Sequence, residues 1–360
     1  MTPTPRTGVL LIQLGTPHEP TVPAVRRFLR EFLSDPRVLD IPALARFFLV
    51  NFIIAPFRAP KSTKIYQDLW KMSDNTSPIL VYTQELVQLL NQHFDDEPIH
   101  VHMAMRYQGP SIPDVLEQMR LQNYGKILVV PLFPQYASSS SGTAMQQVME
   151  VIAKWWAIPH VELVSQFYNE PFYVKALAEQ ARKHDIASFD HVIMSYHGLP
   201  NSQVDKVYDG NKNLCSHHDC ETGLDPENGY CYKATSYETS RAIAKELGLT
   251  EDQYTVTFQS RLTDNWLTPF SDKVIEDFGR AGKKRLLVFS PSFVADCLET
   301  LIEVGDEYAE IFEEHGGEVI QLVASCNTED TWVHGLADFI RARQFIGPGA
   351  KAVIRETVDA

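Results

Sequence analysis

The chain has 360 residues, 44% hydrophobic and 22% charged, which describes an ordinary folded protein too long for one typical core. A net charge of −14 argues against a nucleic-acid partner and requires a local basic or apolar patch for contact with an anionic membrane or ligand. Five cysteines make no disulfide framework, no basic-then-apolar leader is visible and no run of eighteen apolar residues occurs, so a cytoplasmic, non-spanning protein is expected.

Gly8–Leu14 is a near-continuous apolar run closed by Gly15-Thr16-Pro17, the pattern of a buried strand and its turn. Val22, Val25, Leu29, Phe32 and Leu33 follow at helical spacing. Strand-like runs recur at Ile99–Met103, Ile127–Leu132, Val161–Phe167, Val192–Ser195, Tyr254–Phe258, Leu286–Ser290 and Val319–Val323. Helical patterns such as Ile112–Met119, Met145–Trp155 and Thr235–Leu247 separate most of them. Eight strands alternating with helices predict an α/β protein with two doubly wound parallel sheets of about four strands each. The boundary is set near Pro171, giving lobes over 1–170 and 171–325. A C-terminal segment, 326–360, is expected to be helical and to pack back on the first lobe.

Two stretches break the alternation. Residues 41–57 are dense in large apolar groups, with Arg46 and Asn51 the strongly polar exceptions. They read either as a buried helix or as an exposed apolar lip that grips a flat hydrophobic ligand or touches a bilayer. Residues 201–231 form a polar, aperiodic insertion, and loops of that length in compact domains are usually functional or mobile.

The insertion follows His191–Pro200, an apolar β-branched run ending in Ser-Tyr-His-Gly-Leu-Pro. This pattern delivers His197 to the carboxyl end of a buried parallel strand, where open α/β sheets bind ligands. An imidazole there can take protons near neutral pH or bind a metal; the plainer reading is a packed, backbone-bonded histidine. A second candidate is Phe289–Glu303. Asp296 and Glu299 have the spacing of a capping box, yet Glu299 also sits at a strand-to-helix crevice and shares a helical face with Glu303. If the two crevices meet, an imidazole and carboxylates face one another across a cavity.

Cys215, His217, His218, Cys220 and Cys231 lie within the insertion. Zinc accepts such ligands, whereas an iron–sulfur cluster usually takes four thiolates and three are local. Buried, unliganded cysteines are the plain alternative. Arg106-Tyr107 reads as a surface pair or a contact for a ligand carboxylate. Gln135-Tyr136 opens a hydroxyl-rich turn suited to a helix cap or an anion seat. Arg261 with Trp266 puts a guanidinium near aromatic surface after another strand. No GxGxxG, P-loop, GxSxG or HExxH is present, which removes nucleotide, acyl-transfer and zincin readings.

Together these motifs resemble the ferrochelatases, which insert ferrous iron into a porphyrin. The matching segments are Leu14–Pro17, Phe28–Arg37, Met105–Tyr107, Pro131–Tyr136, Ser195–Pro200, Phe258–Arg261 and Ser292–Thr300, in order over nearly the whole chain. The resemblance implies two similar Rossmann-like lobes with a porphyrin cleft between them, and a soluble or peripherally membrane-associated enzyme. It also implies His197 and Glu299 as the iron-handling pair, with Glu303 behind them. Arg106, Tyr107, Gln135, Tyr136, Arg261 and Trp266 are the expected substrate contacts, and residues 41–57 the cleft lip. Protoporphyrin IX and Fe2+ are the expected substrates; coproporphyrin, sirohydrochlorin with another metal, and a non-catalytic tetrapyrrole- or metal-binding module stay open as alternatives. Some bacterial relatives hold a [2Fe–2S] cluster in a cysteine-rich insertion with four cysteines. Here Glu221 follows Cys220, so either no cluster forms or His217 or His218 replaces a thiolate; zinc is the other candidate.

Overall fold

The computed structural model describes residues 6–208, 215 and 218–344. His217 and the residues after 344 lie outside that set. Two parallel sheets carry the fold. The first is built from β1 (Thr7–Gly15), β2 (Ile99–Tyr107), β3 (Lys126–Pro131) and β4 (His160–Leu163), in the order β2-β1-β3-β4. The second is built from β5 (His191–His197), β6 (Tyr254–Gln259), β7 (Arg285–Phe289) and β8 (Val319–Leu322), in the order β6-β5-β7-β8. All pairings are parallel and helices intervene, so the α/β, two-lobed reading holds.

The central strands read as apolar runs because both their faces are covered: Val9–Ile12, Ile127–Val130 and Leu286–Phe289 are all buried. The strand order also positions the site. From β5 the chain moves to β6 on one side, then crosses back to β7 on the other. Loops leaving β5 and β7 therefore diverge, and a crevice opens at their carboxyl ends. The first sheet has the same order and the same switch, between β1 and β3.

Three local readings change. Within the 41–57 stretch, residues 43–57 belong to one exposed helix, Ala43–Lys71, with a π-helical stretch at Leu49–Ile54. By length and hydropathy this helix is sufficient to cross a membrane, which the run-length reading missed because Arg46 and Asn51 interrupt the sequence. Its inner stripe, including Ala55 and Ala59, packs with Val25, Phe28 and Leu29 of helix Val22–Ser34, so it is part of the first lobe. Phe47, Phe52 and Phe57 on its outer side are 53%, 60% and 79% exposed. That exposure excludes the buried-helix reading. Second, β4 ends at Leu163 rather than running to Phe167. Third, Asp296 forms no capping box. Its carboxylate accepts from the Ser325 N–H (3.0 Å) and the Asn327 amide (2.7 Å), and helical geometry begins after it.

The lobes touch at several points. Helix Asp330–Arg341 packs on Pro171–Arg182 and on Pro78–His93, and Arg341 donates to Glu97 through Nε (2.9 Å) and Nη2 (2.8 Å). Gln203 donates to the Val38 carbonyl (3.1 Å), and Lys206 pairs with Asp40.

Candidate active site

His197 ends β5 half-buried, and three features fix it. Its backbone N–H donates to Ser292 Oγ (2.9 Å), in the loop after β7, and the Ser292 hydroxyl in turn bonds the buried Tyr232. Its Nδ1 lies 2.7 Å from the Gly198 carbonyl. A carbonyl only accepts, so Nδ1 carries the proton and Nε2 of the neutral ring keeps its lone pair. Nε2 has no hydrogen-bond partner among the described residues. The ring lies near Trp266 (centroids 6.5 Å) and Phe293 (6.4 Å). Gly198 is required by close approach, since a Cβ there would lie 2.7 Å from the Gln259 carbonyl oxygen.

Gln259, at the end of β6 and opposite His197 in register, ties this histidine region to the acidic segment. Its buried Oε1 accepts from Ser195 Oγ (2.8 Å), while Nε2 donates to the Glu299 carbonyl (3.3 Å) and to Glu303 (3.2 Å). Glu299 and Glu303 lie on a π-helical stretch, Glu299–Glu307, that leads into helix Tyr308–Glu314. His197 ends β5, and Glu299 follows β7 at the start of the π-helical stretch; β5 and β7 flank the switch point.

The two glutamates have different surroundings. The half-buried Glu299 lies beside Tyr66 and Cys297. Burial and then the Glu299 charge push the Tyr66 phenol well above its usual range, and the same two causes raise the Cys297 thiol. Glu303 is fully engaged: it accepts from the Ser260 N–H (2.8 Å), Ser260 Oγ (2.6 Å), Gln259 and the Tyr308 hydroxyl (3.1 Å). Ser260 has a left-handed backbone, φ 62°, which turns its N–H toward that carboxylate. Glu307 continues the series, its carboxyl raised by burial and by the Glu303 charge. The apolar helix reaches the same place, because Tyr66, Leu69 and Trp70 pack with Leu298, Leu301 and Ile302.

The other expected residues divide into two groups. Gln135 and Tyr136 reach across the lobes: Gln135 Nε2 donates to Thr239 Oγ1 (3.0 Å), and the Tyr136 ring sits edge-on to Tyr230 at 5.4 Å. Arg106, Tyr107 and Arg261 are held within their own lobes. Arg106 donates to Asp35 (2.6 Å) and Thr143 (2.7 Å), and the buried Tyr107 hydroxyl donates to the same Asp35 (2.9 Å). Burial works to raise the Asp35 carboxyl, but hydrogen bonds from Thr143, the Arg37 N–H and Tyr107, with the Arg106 charge, hold it below its ordinary value. Arg261 bonds Asp264 (2.9 Å) and Asp272 (3.0 Å) and lies over the Phe270 ring. The sequence reading missed Gln259 as a bridge, and it missed Ser292, Tyr66 and Asp35. Glu307 was findable, since it repeats the four-residue spacing of Glu299 and Glu303.

In the insertion, Cys220 and Cys231 are fully buried and Cys215 partly so. Their sulfurs lie within 4.8 Å of one another, with Cys215 and Cys220 at 3.6 and 3.7 Å from Cys231. Hydrogen bonds from the Cys215 and Cys220 thiols lower the Cys231 thiol below its ordinary value.

An imidazole with a free lone pair at the end of β5 and carboxylates linked to the neighbouring end of β6 are groups suited to metal and proton handling. The Ferrochelatase family profile matches residues 6–344. The chain belongs to the ferrochelatase family. A Coxiella burnetii ferrochelatase is 40% identical over 338 residues, covering 92% of this chain and 92% of the relative. A Legionella pneumophila ferrochelatase is 38% identical over 336 residues, covering 93% and 98%. The solved structure of SirB from Bacillus subtilis with Fe3+ aligns at a TM-score of 0.55 with 10% identity, over 93% of this chain and 94% of that one, a likeness of fold alone. Among ferrochelatases the substrate side is a porphyrin and ferrous iron; a buried cysteine triad able to take a metal is a separate feature of this chain.

Proposed function

We propose that this ferrochelatase inserts Fe2+ into protoporphyrin IX, with His197 as the base and Glu299 on the iron side. Metal insertion releases two inner N–H protons, so it needs an acceptor near the ring centre and a route for the ion. His197 Nε2 is a free lone pair on a ring whose tautomer is fixed by Gly198. Glu299 is the less engaged carboxylate of the acidic segment, bonded by the Cys297 thiol, whereas Glu303 holds the helix to the end of β6. Trp266 and Phe293 offer apolar ring surface near the imidazole. Bending the bound ring draws about 1–5 kcal/mol from such remote contacts.

The observation that supports this reading is Gln259, which lies opposite His197 in the sheet register and bonds the Glu299 carbonyl. The exposed phenylalanines of helix Ala43–Lys71 form the lip by which the flat porphyrin enters, and they rest on a bilayer surface from the cytoplasmic side. The cysteine triad holds a metal that ties the insertion together. An anaerobic fluorescence assay with ferrous iron and either protoporphyrin or coproporphyrin tests the reaction. His197→Ala is expected to lower kcat by at least a hundredfold while porphyrin still binds. Wild-type turnover in that variant sinks the assignment, and turnover of coproporphyrin alone changes the substrate.

A further inference from the structure

The cysteine triad has the geometry of a one-metal site and not that of a two-iron cluster. Around a tetrahedral zinc, with Zn–S near 2.3 Å, neighbouring sulfurs stand about 3.8 Å apart. Cys231 has both partners at that edge length, 3.6 and 3.7 Å, and the third pair closes within 4.8 Å. A [2Fe–2S] cluster takes four thiolates, two on each iron, and sulfurs on different irons stand more than about 5 Å apart. All three sulfurs here therefore fit one ion. Among the described residues no other Cys, His, Asp or Glu joins the group within that distance.

The surroundings favour thiolates. Cys231 is the N-cap of a 16-residue helix, Tyr232–Leu247, whose exposed N–H groups favour negative charge. Tyr208 Oη lies 3.7 Å and Asn228 Nδ2 3.9 Å from Cys220 Sγ, both able to donate to it. Asn228 is itself fixed, with its Oδ1 accepting from the Asp225 N–H (2.8 Å) and its backbone carbonyl from the Cys231 N–H (2.8 Å). Cys215 is held by its N–H on Asp205 (2.9 Å). Donors aimed at ligand sulfurs are the arrangement that orients a thiolate site. His218 stacks flat on Tyr208 at 4.4 Å with Nδ1 on Asp225 (3.1 Å), but it stands outside the sulfur group.

We propose that Cys215, Cys220 and Cys231 bind a single thiolate-preferring divalent cation of the zinc class, separate from the iron substrate. Soft thiolate ligands select such an ion over the harder divalent metals. This rests on the reading that the insertion holds a metal, and it does not depend on which residues insert iron.

The test is elemental and acid-labile sulfide analysis of the full chain purified without added metal, followed by exchange of the bound ion for Co2+. The expected result is one zinc per chain, no sulfide, and the intense charge-transfer and visible bands of tetrahedral cobalt bound to thiolates. Cys215→Ser, at the partly exposed position, is expected to weaken zinc retention against a chelator at least tenfold while the protein stays folded. If that variant fails to fold, the wild-type stoichiometry and cobalt spectrum decide alone. Two irons and two sulfides per chain overturn the one-metal assignment but keep a metal in the insertion. A chain that binds neither zinc nor cobalt overturns both. Iron insertion, assayed in parallel, reports separately on the His197 site.

Discussion

Glu303 was expected to help carry iron, yet four donors converge on its carboxylate, and Glu303→Gln separates a clamp from a ligand. Glutamine keeps one acceptor oxygen and presents an NH2 where the carboxylate accepted. At least one of Ser260 N–H, Ser260 Oγ and the Gln259 amide then meets a donor. Hydrogen bonds to a charged group contribute about 1.5–3 kcal/mol each, so losing one or two costs about 2–4 kcal/mol. For a chain of this size, with an unfolding entropy of about 2.1 cal/mol/K per residue, that lowers Tm by about 3–5 °C. Ser260→Ala removes one donor of the same contact, and the double variant is expected to be less destabilised than the sum of the singles. Differential scanning calorimetry supplies the stabilities, and the ferrous-iron dependence of turnover supplies KM for the metal. An unchanged Tm with KM for iron raised tenfold or more would refute the clamp and restore Glu303 to the iron path.

Three further outcomes follow from the same coordinates. Burial, with the nearby Lys283 charge, pushes the His191 imidazole from 6.5 down to about 4. The unfolded chain then binds the extra proton first, so stability is complete above about pH 6.5 and falls as pH drops toward 4, by about 3 kcal/mol. Urea unfolding of His191→Gln is expected to show a shallower acid loss over that window, and an identical slope contradicts the assignment. Replacing Phe47, Phe52 and Phe57 together by Ser is expected to reduce sedimentation with anionic vesicles at least tenfold with little change in Tm, because all three are exposed; unaltered vesicle binding removes the membrane role. Gly198→Ala drives a methyl into the Gln259 carbonyl, and kcat is expected to fall at least tenfold with folding kept; full activity would show that the close approach is not needed.

Which parts of this were legible in the chain depends on whether the cause is local. A strand covered on both faces must be apolar along its length, so β1, β3, β5 and β7 appear as runs that need no partner to be recognised. His197 and Glu299 were visible for a related reason: each follows such a run, and the end of a parallel strand is where a crevice forms. Partners distant in sequence leave no local trace. Asp296 has the spacing of a helix cap, but residues 325 and 327 take its carboxylate, and Arg106 meets Asp35 rather than solvent. Helix Ala43–Lys71 fails in a different way. Pro56 and Pro60 each signal a stop, yet both lie inside the continuous helix, directly after a π-helical stretch, the kind of local irregularity with which helices accommodate a proline. The helix continues, and its far end packs on the segment that carries Glu299. The apolar lip and the acidic helix are therefore joined through Tyr66, Leu69 and Trp70, so a force on the lip reaches Glu299 before it reaches His197. That asymmetry predicts that Trp70→Ala, in a cluster shared only with the acidic segment, raises KM for iron more than it raises KM for porphyrin. Equal effects on both substrates, measured in the same fluorescence assay, would show that the lip and Glu299 move independently.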